Sequence, residues 1–179
     1  DYTLSRGLGD VYKRQGQVHL FSLFTQEIYV GLKPYVEYFA KENNYTIDDS
    51  NFDITADQVS KENVKEFIDS LILTSNKKPI KVRDYQYNAI YHAINDGRRL
   101  LLSPTGSGKS LIIYVLLRWH EQFGRKQLII VPTTSLVEQL YSDFQDYSSA
   151  NDWKASYNCY RIYGTVDKQN DMPITISTW

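Results

Sequence analysis

The run Ser103-Pro104-Thr105-Gly106-Ser107-Gly108-Lys109-Ser110 constrains this chain more than any other stretch. It follows the apolar residues Leu100-Leu101-Leu102 and opens the apolar-rich segment Leu111 to Trp119. A strand, a glycine turn and a helix beginning at Gly-Lys-Ser form the context of a phosphate-binding loop. Glycines let the backbone curl until successive N–H groups point inward at an anion. The helix start adds unpaired N–H donors and a partial positive charge. In that reading Thr105, Gly106, Ser107 and Gly108 supply backbone donors, Lys109 reaches the outer phosphates, and the Ser110 hydroxyl ligates Mg²⁺. The general pattern begins with glycine, and Ser103 stands there instead. The plainer reading, a glycine-rich turn with no ligand, is disfavoured by the placement of Gly-Lys-Ser between strand and helix.

The residues on either side alternate between strand and helix patterns. Asp84 is expected to cap a helix whose apolar face is Tyr87, Ile90, Tyr91 and Ile94, with Gly97 ending it. A strand over Arg99 to Ser103 leads into the loop, and a helix runs from Lys109 to Gln122. Gln127 to Val131 is a near-continuous apolar strand of the kind expected when both sheet faces are covered. Pro132-Thr133-Thr134 turns into a helix from Ser135 to Tyr147, and short strands are expected at Tyr160 to Tyr163 and Ile174 to Ser177. Such alternation implies an α/β fold with a parallel sheet.

The N-terminal part reads differently. Residues 1–15 have no sustained period and resemble a translated sequencing adaptor, so they are expected to be an artefactual or disordered leader. Gln17 to Leu32 reads as a β-hairpin turning at Thr25-Gln26. His19 within it has no partner at metal spacing and reads as a plain strand histidine. A helix from Leu32 to Asn43 follows, with Pro34 in its first turn. Ser60 is expected to cap another helix, with Val64, Phe67, Ile68 and Leu71 on one face. Thr74 to Lys78 reads as a linker ended by Pro79. The expected organisation is therefore a small, incomplete α+β accessory domain over 16–75 and an α/β nucleotide-binding lobe over 76–179.

Composition enters only as a bound on partners. The 179 residues suffice for one domain with a core, or one domain plus an appendage. No apolar run approaches the ~20 residues needed to span a bilayer, and no secretory leader is evident, so a cytoplasmic location is expected. Cys159 is the single cysteine, which excludes an intrachain disulfide. The net charge of −1 hides a split. Glu37 to Asp69 holds nine acids and three lysines, a net of −6, whereas Ser70 to Val131 holds ten bases and three acids, a net of +7. The second half can therefore meet an anionic partner; the acidic stretch is a poor phosphate-binding face.

Three further motifs flank the loop. Arg83-Asp84-Tyr85-Gln86 precedes it, Val131-Pro132-Thr133-Thr134 follows it, and Ile176-Ser177-Thr178-Trp179 closes the chain. Together they resemble the first half of a superfamily-two helicase or translocase motor, in which Pro-Thr-Gly-Ser-Gly-Lys-Ser is a usual form of the phosphate loop and the first glycine is commonly replaced. From Gly16 to Trp179 the chain is similar to the UvsW-type recombination helicases of tailed phages.

The resemblance implies a RecA-like P-loop lobe, incomplete here, with ATP and Mg²⁺ as cofactors. DNA, or an RNA–DNA hybrid, is the implied partner. It implies that Gln86 reads adenine, since an amide both donates and accepts, and that Arg83 stacks on the base. Lys109 and Ser110 take the phosphate and Mg²⁺ roles and are the implied catalytic pair. Pro132, Thr133, Thr134, Gly164 and Thr178 are the implied contacts to one nucleic-acid strand, with Gln139 in support. A strand-to-helix cap is the plainer reading of Thr133-Thr134. Trp119, Trp153, Tyr157 and Tyr160 are candidate stacking platforms, Trp119 being better explained as core. Such motors also need an Asp-Glu pair and a second RecA-like lobe of the same parent chain, so residues 1–179 alone are expected to be inactive in hydrolysis. The rival reading is a non-catalytic nucleotide- and nucleic-acid-binding module. A P-loop kinase would explain the loop but neither flanking motif.

Overall fold

The computed structural model describes residues 21–22, 24–48, 59–97, 99–164 and 169–179. The expected leader, His19 and most of the acidic connection before Ser60 lie outside them. The chain divides into two compact units, Asp1–Asp53 and Ile54–Trp179.

In the first unit, β1 (Phe21–Ser22) pairs antiparallel with β2 (Glu27–Ile28), in register Phe21 to Ile28 and Ser22 to Glu27. Gln26 takes φ 56° in the turn between them. The expected second strand stops at Ile28, because Val30–Leu32 winds into a 3₁₀ turn that feeds α1 (Lys33–Glu42). Pro34 sits in the first turn of α1, where its missing N–H costs nothing. Asn44 in the left-handed region (φ 57°) ends the helix.

The second unit begins earlier than the sequence pattern suggests. Its first helix, α2 (Lys61–Ser70), is capped by Ser60, whose Oγ accepts from Asn63 N–H at 3.1 Å. Val64 and Ile68 of α2 are buried in the same core as Ile90 and Ile94, so the helix belongs with the α/β lobe and the boundary lies before it. The expected linker is a tight hairpin: β3 (Thr74–Ser75) pairs with β4 (Lys78–Pro79) around Asn76 and Lys77, both at positive φ.

Next come α3 (Asp84–Asp96) and the glycine loop. Then follow α4 (Lys109–Glu121), β5 (Gln127–Ile130), α5 (Thr134–Tyr147), the short α6 (Ala155–Asn158), β6 (Cys159–Ile162) and β7 (Ile174–Ser177). The three last strands form a parallel sheet in the order β5-β7-β6. The hairpin is pinned to the end of α5: Thr74 Oγ1 donates to the Asp146 carbonyl at 2.5 Å, and Asn76 N–H reaches the Asp146 carboxylate at 2.8 Å. The fold is α/β with a parallel sheet, as the alternation of patterns implied.

The core lies between the sheet and helices α3, α4 and α5. Tyr114, Phe144, Val137, Ile174 and Ile176 are fully buried in it. Trp119 packs edge-on to Phe67 at 5.1 Å and Trp153 edge-on to Tyr114 at 5.4 Å, so neither is a stacking platform. Trp153 Nε1 also donates to Glu121 at 2.9 Å, which satisfies its one polar atom. Tyr157 is exposed and Tyr160 half-buried.

Two expectations about strands fail. Arg99 to Ser103 is not a strand; Leu100 and Leu102 are 83% and 89% exposed. An extended run becomes a strand only when a neighbour closes its backbone ladder, and none of the described strands pairs with it. Nor is β5 covered on both faces, since Leu128 and Ile130 point outward, 63% and 51% exposed.

Candidate nucleotide and nucleic-acid site

The loop is built by its two left-handed glycines. Gly106 has φ 81° and Gly108 φ 79°, a region closed to most side chains. Gly108 is the residue before α4, so Lys109 and Ser110 lie in the first turn, whose N–H groups precede any intrahelical acceptor. Ser107 closes the curl from inside: its Oγ donates to the Pro104 carbonyl at 2.8 Å and touches Ser103 Oγ. The serine in place of the usual first glycine is thus a hydrogen-bonding partner of the loop.

Lys109 arches back over the curl. Its Nζ donates to the carbonyls of Ser103 and Pro104 at 2.9 and 2.8 Å. Both acceptors are neutral, and among the described residues no carboxylate pairs with this ammonium. Curled N–H donors, a helix start and an uncompensated cation fit a polyphosphate.

Helix α3 braces the loop. Gln86, 4% exposed, donates from Nε2 to the Ser107 carbonyl at 2.9 Å and accepts the Arg83 N–H on Oε1 at 2.9 Å. The second bond is half of a capping box. Arg83, with donors only, cannot supply the other half. The N-cap is therefore Arg83, not Asp84, which takes the first helical position; there its charge still favours the helix. Tyr85, to which the sequence reading gave no role, adds a second brace from its hydroxyl to Ser107 O at 2.9 Å. The Arg83 guanidinium is exposed and lies 3.4 Å from that hydroxyl.

A cleft of about 420 Å³ opens beside the loop, lined by Lys81, Arg83, Tyr85, Gln86, Gly106, Ser107, Gly108 and Tyr147, among others. Thr105, exposed at the loop's tip, instead lines the apolar hollow on the other side with Leu100 and Leu102.

Ser110 looks toward α5. Its Oγ lies 2.8 Å from Tyr147 Oη. Burial raises the pKa of both Asp143 and Tyr147, opposed in each by a bond to Ser110; Asp146 adds to the rise at Asp143, and Asp143 and then Asp146 add to it at Tyr147. No group of three or more metal-ligating side chains occurs among the described residues. A Mg²⁺ carried by nucleotide phosphates ordinarily also takes a loop hydroxyl and a carboxylate, and Ser110 is the residue that would offer the hydroxyl. Tyr147 and Asp143 escaped the sequence reading because α5's period marks its core face and gives no sign of where a polar tip points.

The strand-contact candidates converge by register. Ile130, Ser177 and Ile162 are aligned across β5-β7-β6. Val131-Pro132, Thr178 and Tyr163-Gly164 follow at once, so they emerge side by side, about 4.8 Å per strand. The carboxyl ends of parallel strands are where ligands bind in open α/β sheets. Thr133 caps α5, its Oγ1 accepting Leu136 N–H at 3.3 Å. It is exposed with Pro132 and Thr134, while Gly164 takes φ 60°. Beside them Arg161 pairs with Glu138 at 2.5 Å and lies 4.0 Å over the Tyr141 ring. Bonds from Tyr163 and then Arg161 hold the Glu138 carboxyl below its usual value. Gln139 is exposed on the same helix.

Comparison with known proteins adds three findings. Residues 79–179 match a family model described as type III restriction enzyme, res subunit. The chain is 34% identical over 128 residues to the ATP-dependent DNA helicase uvsW of Enterobacteria phage T4, covering 69% of this chain and 25% of that protein. It superimposes on two crystal structures of T4 UvsW with TM-scores of 0.76 and 0.77 at 30% identity, covering 90% and 92% of this chain and 33% and 58% of those chains. The chain thus spans about a quarter of the length of its curated relative.

Proposed function

The chain belongs to the family described as type III restriction enzyme, res subunit, as a UvsW-like superfamily-two helicase, and on that premise we propose that it forms the ATP-binding, strand-gripping lobe of an ATP-dependent DNA helicase or translocase. The loop N–H groups of Thr105 to Gly108 and the Lys109 ammonium hold the triphosphate. Ser110 ligates Mg²⁺, which neutralises phosphate charge when bound. Gln86 reads adenine with the donor and acceptor that its two present bonds leave over, and Arg83 covers the base. Pro132, Thr133, Thr134, Gly164 and Thr178 grip the backbone of one strand without reading its sequence.

The observation that carries this reading is Lys109, whose ammonium rests on two neutral carbonyls above a glycine curl. The work is remodelling of branched DNA or RNA–DNA hybrids in phage recombination and repair, carried out in the host cytoplasm. A second lobe of the same parent chain and an acidic pair complete hydrolysis, so residues 1–179 alone bind nucleotide without turning it over.

The test is ATP hydrolysis by the full-length protein with and without DNA. DNA should stimulate turnover, and Lys109→Ala should abolish it. Turnover indifferent to DNA, or intact in Lys109→Ala, overturns the reading.

A further inference from the structure

We propose that Tyr85 is a positioning residue for the phosphate loop: its hydroxyl, seated on the Ser107 carbonyl, turns the Gly108 N–H toward the phosphates and ties Arg83 to the same peptide. The proposal rests on the reading of the loop as a triphosphate site.

The geometry starts from one oxygen. The Ser107 carbonyl accepts from Gln86 Nε2 and from Tyr85 Oη, each at 2.9 Å. A carbonyl oxygen has two lone pairs, and both are then used. Neighbouring residues of an α-helix point about 100° apart, so the two donors reach the oxygen from different sides and fix its direction. The described peptide bonds are all trans. In a planar trans peptide the carbonyl of one residue and the N–H of the next point opposite ways. Holding the Ser107 oxygen against α3 therefore aims the Gly108 N–H away from α3. Among the described residues no hydrogen bond occupies that N–H, which leaves it for an anion.

Satisfying the carbonyl does not require the tyrosine. Gln86, 4% exposed, does that alone, and Tyr85 is 45% exposed, where water would serve its hydroxyl equally. What the second bond adds is direction. Helix α3 is a firm mount for it, since Ile90 and Ile94 are buried in the core. The same hydroxyl accepts from Arg83 Nη1 at 3.4 Å. A phenol has one proton, and spending it on Ser107 leaves the oxygen for the guanidinium. The chain from Arg83 through Tyr85 to Ser107 thus runs from the base side of the cleft to its phosphate side, and bonds in such a chain strengthen one another. Tyr85 lines both the cleft and the apolar hollow, so it stands between them.

The test uses the full-length protein with sodium tripolyphosphate and ATP as the probes, their binding followed by titration calorimetry. Tyr85→Phe keeps the ring and removes only the hydroxyl. It should weaken tripolyphosphate binding about three- to tenfold, leave the thermal midpoint unchanged, and raise the KM for ATP while kcat stays the same. A lower midpoint with KM unchanged would make the bond structural only and overturn the proposal. Arg83→Ala combined with Tyr85→Phe should cost ATP affinity little more than the worse single variant, because the two residues share one chain of bonds. Losses that multiply overturn the link to Arg83. Tripolyphosphate affinity unchanged in Tyr85→Phe, beside a loss in Lys109→Ala, overturns the positioning role alone. Unchanged affinity in Lys109→Ala overturns the phosphate reading of the loop and the proposal with it.

Discussion

A Cβ at residue 108 would lie 2.4 Å from Gln86 Nε2. Only a hydrogen at that position lets α3 press its glutamine onto the loop, and φ 79° at Gly108 independently excludes most side chains. Gly108→Ala should therefore act twice, straining the backbone and dislodging Gln86 from Ser107. We expect a loss of about 1–3 kcal/mol in stability, read as a lower denaturation midpoint, and a nucleotide affinity reduced at least tenfold. Gly106→Ala is the control. It shares the strained φ, but its Cβ would meet nothing within 4 Å, so it should cost less. Equal losses in the two variants would show that the Gln86 contact is immaterial.

Gln86 spends one donor on Ser107 and one acceptor on Arg83. Gln86→Glu keeps the acceptor and turns a carboxylate oxygen toward the Ser107 carbonyl, where a donor had been. Leaving that carbonyl opposed should cost about 1–3 kcal/mol. Because the loop itself is disturbed, binding of inorganic triphosphate should weaken together with binding of ATP. Weakened ATP binding with triphosphate binding intact would instead confine Gln86 to the base.

How much of this was legible beforehand depends on what kind of contact is involved. The loop, the helices and the parallel sheet are written in local period and in Gly-Lys-Ser, which sequence displays directly. Ser60 as a cap, and Ile174 to Ser177 as a strand, needed only neighbours in the chain. The sequence pattern puts the boundary after α2 because Thr74 to Lys78 is short and polar. That same stretch is a hairpin whose Asn76 and Lys77 accept positive φ and whose strands are fastened to Asp146, some seventy residues away. Leu100 to Leu102 read as a strand from composition alone, but strands are made by partners. Tyr147 was hidden for a further reason. Its ring follows the helical period while its hydroxyl serves Ser110, and period says nothing about a polar tip.

Thr133 allows the cap and strand-contact readings to be separated. Its hydroxyl caps α5 through Leu136 N–H, and aspartate caps as well as threonine does. Thr133→Asp should therefore leave the thermal midpoint near its original value. It also sets a negative charge at the edge where Pro132, Gly164 and Thr178 emerge. If that edge holds a phosphate backbone, single-stranded DNA binding should fall by tenfold or more, most at low salt, where repulsion is least screened. Thr133→Ala should show the reverse balance, losing about 1 kcal/mol of stability with a smaller change in DNA binding. A Thr133→Asp protein that binds DNA normally would leave Thr133 as a cap alone.

Cys159 opens β6 with its side chain 4% exposed. Burial, with a smaller contribution from Glu121, pushes its thiol from 9.0 up to about 12. The thiolate is the reactive form, so the folded protein should resist a thiol reagent at pH 8 and react only as fast as it opens. The stability consequence follows from the same shift. The fold favours the neutral thiol, so the contribution is fully present below the ordinary value of 9.0 and is lost as pH rises from there toward about 12. Unfolding measured at pH 7, 8 and 10.5 should give near-equal midpoints at the first two values and, for this group, a lower one at the third. Cys159→Ala should flatten that alkaline decline while costing stability at every pH through lost packing. Rapid labelling of the native protein at pH 8, at a rate independent of denaturant, would show that β6 does not bury the thiol in solution.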